Sequence, residues 1–133
     1  MVKEVLTFHV KISGNDEVIG KNGRVNLCHF TGYADCANFK GEILPGGVDR
    51  QLEFFGASAC LSARYILAGK DIDGQNCRIF VENSAEITDG ENIQTKPKII
   101  TDSKKLAFLE EAKLYGSISP SEEGITIHIF MEE

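Results

Sequence analysis

The side chains able to do chemistry gather between Phe39 and Asn83. Asp49 and Gln51 sit two apart in a strand-like run, so they share a face. Ser62 and Arg64 do the same in the next run, with Tyr65 beside them, and Asn83 ends a third. If both pairs point inward, one interior holds an acid, an amide, a hydroxyl and a guanidinium. A few polar groups converging in apolar surroundings are the usual anatomy of a small-molecule site. Asp49, Gln51, Arg64, Tyr65 and Asn83 are therefore the expected ligand-binding residues. Two structural readings compete. A buried Asp–Arg pair can simply satisfy itself, because buried charges are costly unless paired. An Asp following Gly46-Gly47 also suits a turn, where its side chain bonds nearby backbone.

His9, His29 and His128 each lie opposite their apolar neighbours on strand-like runs. With the apolar neighbours forming the core, the histidines belong to the solvent face; on a lumen face one of them would serve as a general base. No zinc-ligand spacing links them, so no metal and no cofactor is expected. Cys28, Cys36, Cys60 and Cys77 have no CxxC spacing either, and read as reduced, mostly buried small apolar residues. Cys28 and His29 are adjacent, which on a strand turns them to opposite faces and argues against a dyad.

The elements that must position these groups are short strands. Leu6, Phe8, Val10 and Ile12 alternate with polar residues at a period of two. Ser13 to Asp16 reads as a turn, and Asn22-Gly23 as a type I′ hairpin turn. Arg24 to Tyr33 is a strand with Val25 and Leu27 on one side. Phe39 to Leu44 stops at Pro45, and Pro45-Gly46-Gly47 reads as a turn leading to the strand Val48 to Phe55. Ala59 to Leu67 and Cys77 to Asn83 follow, with Asp73-Gly74 as the hairpin turn near the start of the latter. Ser84 to Lys96 is polar and reads as a loop with weak extended structure, with a short strand at Ile99 and Ile100. Ser103 to Lys113 is the one plausible helix, Ser103 being its N-cap; the competing reading is a loop presenting Phe108 and Leu109 to the core. Lys113 to Ser119 and Ile125 to Glu132 form a closing hairpin. Turn signals at this rate, with no βαβ rhythm, predict an all-β fold. The expectation is a single domain over 1–133, a closed antiparallel β-barrel of about eight to ten strands with at most one short helix.

Over Phe39–Asn83 the chain resembles the family known as domain of unknown function 3237. The residues that carry the likeness are Phe39-Lys40-Gly41-Glu42-Ile43-Leu44-Pro45-Gly46-Gly47-Val48-Asp49-Arg50-Gln51, then Leu61-Ser62-Ala63-Arg64-Tyr65, Asp73-Gly74 and Ile79-Phe80-Val81-Glu82-Asn83. Arg50 stands where that family usually has Trp, and Ser62 where it usually has Asp. The resemblance implies a small closed barrel with an interior ligand pocket and no established activity. It implies no general base at position 62.

Composition narrows the classes further. The chain has 133 residues, 20 acidic and 14 basic, for a formal net charge of −6. A chain of this length buries roughly two-thirds of its unfolded surface and needs no disulfide or metal staple. The acidic balance argues against nucleic acid, which is gripped by clustered Lys and Arg. No secretory signal and no membrane-length apolar run is present, so a cytoplasmic protein with no membrane partner is expected. The favoured function is binding of a small organic ligand in the barrel interior. An acid/base enzyme of isomerase, cyclase or hydrolase type is the first alternative. A structural or homo-oligomer-forming protein with a filled barrel is the second.

Overall fold

Period-two alternation turns most of this chain into strands that bury one face each. The computed structural model describes residues 1–57, 59–87 and 94–133. Its strands are β1 (Val2–Ile19), β2 (Gly23–Asp35), β3 (Phe39–Ile43), β4 (Val48–Phe54), β5 (Ala59–Asp71), β6 (Asn76–Ile87), β7 (Gln94–Thr101), β8 (Leu114–Pro120) and β9 (Gly124–Glu132). They form one nine-stranded antiparallel sheet. β1 pairs with β9 on one side and β2 on the other, so the sheet closes on itself as the expected barrel. β3 and β4 lie in series in the single slot between β2 and β5, so the wall has eight staves.

Two sequence expectations become bulges. Ser13 to Asp16 does not turn; β1 runs through it with a register shift between Ile12 and Gly14. Pro45-Gly46-Gly47 does not reverse the chain either. Ile43 lies opposite Leu67 and Val48 opposite Arg64, so four residues on one strand face two on the other. Gly46 absorbs the excess at a φ of 108°, a conformation that suits glycine. Asn22-Gly23 makes no type I′ turn. Gly20 N–H bonds Gly23 O at 2.8 Å, so the loop centre is Lys21-Asn22, and no residue there has positive φ. Asp73-Gly74 does form the expected hairpin, with Gly74 at a φ of 78°.

One end of the barrel is closed by the segment between β7 and β8. Its only regular structure is a 3₁₀ turn at Ala107–Glu110, in place of a helix over Ser103–Lys113. Leu106 and Leu109 are each 1% exposed, while Phe108 faces outward. Two leucines three apart lie one above the other on a 3₁₀ turn, whose period is three, and a single turn delivers both to the core. Ser103 ties the plug to the wall: its Oγ donates to Asp71 Oδ2 at 2.7 Å and accepts from Leu106 N–H at 3.2 Å. Around the plug, Leu6, Phe8, Phe39, Leu67, Ile79, Val81 and Ile129 are fully buried. That half of the lumen is solid.

Ser84 to Lys96, expected as a loop with weak extended structure, supplies the end of β6 and the start of β7. Residues 88–93, also part of that expectation, lie outside the described residues. No described helix is long and apolar enough to cross a membrane.

The plug generates two expectations. Leu109→Ala should destabilise the barrel by about 2–5 kcal/mol, the usual cost of emptying a packed leucine site, measurable by urea unfolding. The hydrogen bond from Ser103 holds the Asp71 carboxyl below its usual range; burial opposes this, and the Gln75 and Asp73 amides and Lys105 add to it. A carboxyl depressed on folding stabilises above its unfolded value and loses that contribution as pH falls through the folded one. Stability of the parent should therefore drop below about pH 4, near the free Asp value. In Ser103→Ala that drop should be smaller in melts taken across pH 2 to 6.

Candidate functional site

Strand pairing sorts the polar residues between the two faces of the wall. Asp49 on β4 lies opposite Cys28 on β2 and Ala63 on β5, and Ala63 lies opposite Asn83 on β6. Gln51 lies opposite Asn26 and Leu61. All of these face the lumen, together with Tyr65, two residues beyond Ala63 toward the plug. Asp49 is thus a ladder residue, not a turn residue.

Arg64 does not join them. It stands on the outer face and pairs with Glu82, Nε to Oε2 at 2.9 Å, with both side chains partly exposed. Adjacent strand residues point to opposite faces, so Tyr65 inward requires Arg64 outward. Ser62 shares the outer face, directly opposite Arg50 and Ser84, although it is buried there. The interior Asp–Arg pair is therefore absent. His9, His29 and His128 also lie on the outer face, as the apolar-core reading expects. His29 bonds Asp16 at 2.9 Å, and His9 packs against Tyr33 with ring centres 4.9 Å apart. The four cysteines are free, Cys28 and Cys77 being buried.

The lumen residues divide into a relay and a set of loose ends. Asn26 Nδ2 donates to Asn15 Oδ1 at 2.9 Å and lies 3.2 Å from Gln51 Oε1. Gln51 Nε2 in turn donates to Asp49 Oδ2 at 3.1 Å. This chain runs from the open end of the barrel down to Asp49. A cavity of about 260 Å³ sits at that open end, lined by Glu17, Arg24, Asn26, Gln51 and Glu53 among others. Arg24 and Glu53 form an ion pair at its rim, at 2.9 Å.

At it and below it, five buried polar atoms of the lumen have no partner, Asn26 Oδ1, Asp49 Oδ1, Tyr65 Oη, Asn83 Oδ1 and Thr95 Oγ1, while a sixth, Arg50 Nε, belongs to the outer face. Tyr65 forms the floor, its ring edge-on to Phe8 and Phe30 at centroid distances of 5.9 and 5.3 Å. Thr95 is fully buried on β7, opposite Gly116 on β8. A Cβ at Gly116 would sit 2.0 Å from Thr95 Oγ1, so only glycine leaves that hydroxyl its place.

Burial pushes the Asp49 carboxyl above its usual range; the Gln51 hydrogen bond and the Arg50 charge oppose the rise without cancelling it. The Tyr65 hydroxyl is pushed far up as well, chiefly by burial and also by the charge of Asp49. At neutral pH Tyr65 is therefore a neutral phenol beside a carboxyl that ionises reluctantly. Such a pair can accept hydrogen bonds and donate one, and of the two it is Asp49 that can exchange a proton. Among the described residues no group of three or more His, Cys, Asp or Glu has the arrangement to hold a metal ion.

Sequence reasoning placed four of the five expected residues in this interior: Asp49, Gln51, Tyr65 and Asn83. It missed Asn26 and Thr95. The available signal was parity, since Asn26 shares a strand face with Cys28 and Phe30, and Thr95 with Pro97 and Ile99.

Several solved structures share the fold, three of them as follows. A protein of unknown function from Clostridium acetobutylicum ATCC 824 superposes with a TM-score of 0.84 at 22% identity, over 100% of this chain and 99% of that one. A beta-barrel like protein from Acinetobacter baumannii AYE gives 0.76 at 18%, over 98% and 94%. A protein described as an enzyme from Penicillium herquei gives 0.72 at 18%, over 99% and 94%. No family model matches the chain, and no curated protein matches it. At these identities the likeness is one of fold: this chain is a small β-barrel-like protein of the same architecture.

Proposed function

We propose that the open half of the lumen binds a small organic molecule bearing hydrogen-bond donors, such as hydroxyl or ammonium groups. The observation that carries this reading is the group of unpartnered buried atoms on Asn26, Asp49, Tyr65, Asn83 and Thr95. A buried polar atom without a partner costs about 1–3 kcal/mol, and native interiors contain few of them. These five share the lumen face, in the half of the barrel beyond the apolar plug. Three of them are carboxylate or amide oxygens, which accept and do not donate. Asp49 has no ion-pair partner among the described residues, so an anionic ligand would meet an acid offset only in part by the charge of Arg50. A barrel of eight staves has room for one small ligand at most. The free cysteines fit a reducing, cytoplasmic setting.

One observation favours a second reading, an acid/base enzyme acting in the same lumen. A carboxyl raised by burial next to a neutral phenol is a suitable proton-transfer pair. In that case Asp49 takes or gives the proton and Tyr65 holds the substrate.

A thermal-shift screen of small polyols and amines against matched carboxylates tests the binding proposal. Donor-bearing compounds should raise the melting temperature and carboxylates should not. Tyr65→Phe removes an unsatisfied hydroxyl at constant shape. It should raise the melting temperature of the free protein, by roughly 3–5 °C per kcal/mol recovered, and weaken the ligand-induced shift. A less stable Tyr65→Phe protein with an unchanged ligand shift would count against the proposal.

Asp49→Asn gives a second check through pH. A carboxyl raised on folding stabilises only while protonated, so that contribution is lost as pH rises from its unfolded value, about 3.9, through the folded one. Asp49→Asn should melt with the parent at pH 3.5 and above it at pH 7.

A further inference from the structure

The outer face where β1, β9 and β8 meet carries a separate constellation. His128 on β9 points outward between the inward-facing Ile127 and Ile129. Its Nε2 lies 3.0 Å from Ser119 Oγ on β8, and its Nδ1 lies 2.8 Å from Glu4 Oε2 on β1. Thr7 Oγ1 also donates to Glu4 Oε2, which fixes the carboxylate. Phe130 stacks on the imidazole, with ring centres 6.3 Å apart. The side chains of His128 and Glu4 are 27% and 36% exposed, so both stay within reach of solvent.

The two bonds to the imidazole determine its tautomer. An ionised Glu4 accepts only, so Nδ1 carries the proton. Nε2 is then left with its lone pair directed at Ser119 Oγ. Burial alone would raise the Glu4 carboxyl, but the hydrogen bonds from Thr7 and His128 hold it below its usual range. Serine on Nε2 and carboxylate on Nδ1 is the arrangement that activates a hydroxyl nucleophile, and it is identified by geometry, not by chain order.

We propose that Ser119 is an activated nucleophile that accepts acyl groups from activated esters, with His128 as its base and Glu4 as the positioning residue. In the forward step Ser119 Oγ bonds to the ester carbonyl carbon while its proton passes to His128 Nε2. The tetrahedral adduct then collapses. Its bond to the leaving alcohol oxygen breaks, the alcohol departs with the proton from His128, and the acyl group remains on Ser119 as an ester. Water repeats the sequence, releasing a carboxylic acid and the free serine. The strand amides beside Ser119 lie in the sheet plane, in the ladder to Thr126. They offer the oxyanion no donor on the outer face. Turnover is therefore slow, and the acyl-protein outlasts its formation.

The test is acetylation by p-nitrophenyl acetate, followed by intact-mass measurement and peptide mapping. Ser117, directly opposite His128 in the ladder, is the internal control of similar setting, and Ser121, exposed in the loop after β8, is a freely accessible one. Acetate should map to Ser119, and Ser119→Ala should remove it without lowering the melting temperature. His128→Ala should slow the reaction on the order of 10²-fold, the lower range for loss of a general base. Glu4→Gln should slow it less and should move the ¹⁵N signals of His128 away from the Nδ1–H tautomer. Label spread evenly over the three serines, label on His128 itself, or a rate unaffected by His128→Ala would overturn the proposal. An unchanged tautomer in Glu4→Gln would overturn the role given to Glu4.

Discussion

The constraint on which everything else rests is the alternation of faces in a closed ring. In an open sheet a strand can slip by one residue and leave its neighbours in place. In a barrel each strand is held from both sides, so a slip would turn one whole row of side chains inside out. Once Phe8, Tyr65, Ile79 and Ile129 are placed inside, every other strand residue is assigned to lumen or exterior. The bulges are where this rule is relaxed, and a further register shift lies between Glu4 and Leu6 in the β1–β9 pair. The irregularity at Ile12/Gly14 and the extra pair of residues at Pro45-Gly46 let long strands bend around the ring while keeping their apolar rows inward.

Within that frame the lumen has two chemical halves. The plugged half is filled by leucine, isoleucine, valine and phenylalanine and has the packing of an ordinary core. The other half carries the relay from Asn15 to Asp49 and a set of oxygens left without partners. The first half offsets the cost of the second. Tyr65 marks the boundary, its ring in the aromatic cluster and its hydroxyl among the polar groups.

Much of this was legible in the sequence, and the failures have specific causes. The barrel followed from strand period and turn density, and the inward positions of Asp49, Gln51 and Asn83 from spacing. Arg64 was misplaced because Tyr65 was assigned to the same interior, although neighbours on a strand cannot share a face. Leu61, Ala63 and Leu67 side with Tyr65, and that vote was available. On β2 the apolar Val25 and Leu27 suggested the core face, yet Leu27 is 38% exposed and Cys28 and Phe30 are buried. Near the tip of a long hairpin, apolar character is a poor guide to burial. The bulges were read as turns because Gly-rich clusters serve both purposes. The Ser119–His128–Glu4 group could not be seen at all, since it joins residues brought together only when the ring closes.

Closure by β1 and β9 also sets the order in which the molecule can be made. β1 emerges from the ribosome well before its second partner, and until β9 follows, its outward ladder edge has nothing to pair with. Along that edge, Lys3, Glu4, His9 and Lys11 interrupt the apolar residues. Charged side chains of this kind discourage another chain from adding itself as a strand. The waiting period is thus protected by the same surface residues that later flank the seam. Three of the four, Lys3, Glu4 and His9, end in side-chain contacts that exist only in the finished barrel or across the β1–β2 pair.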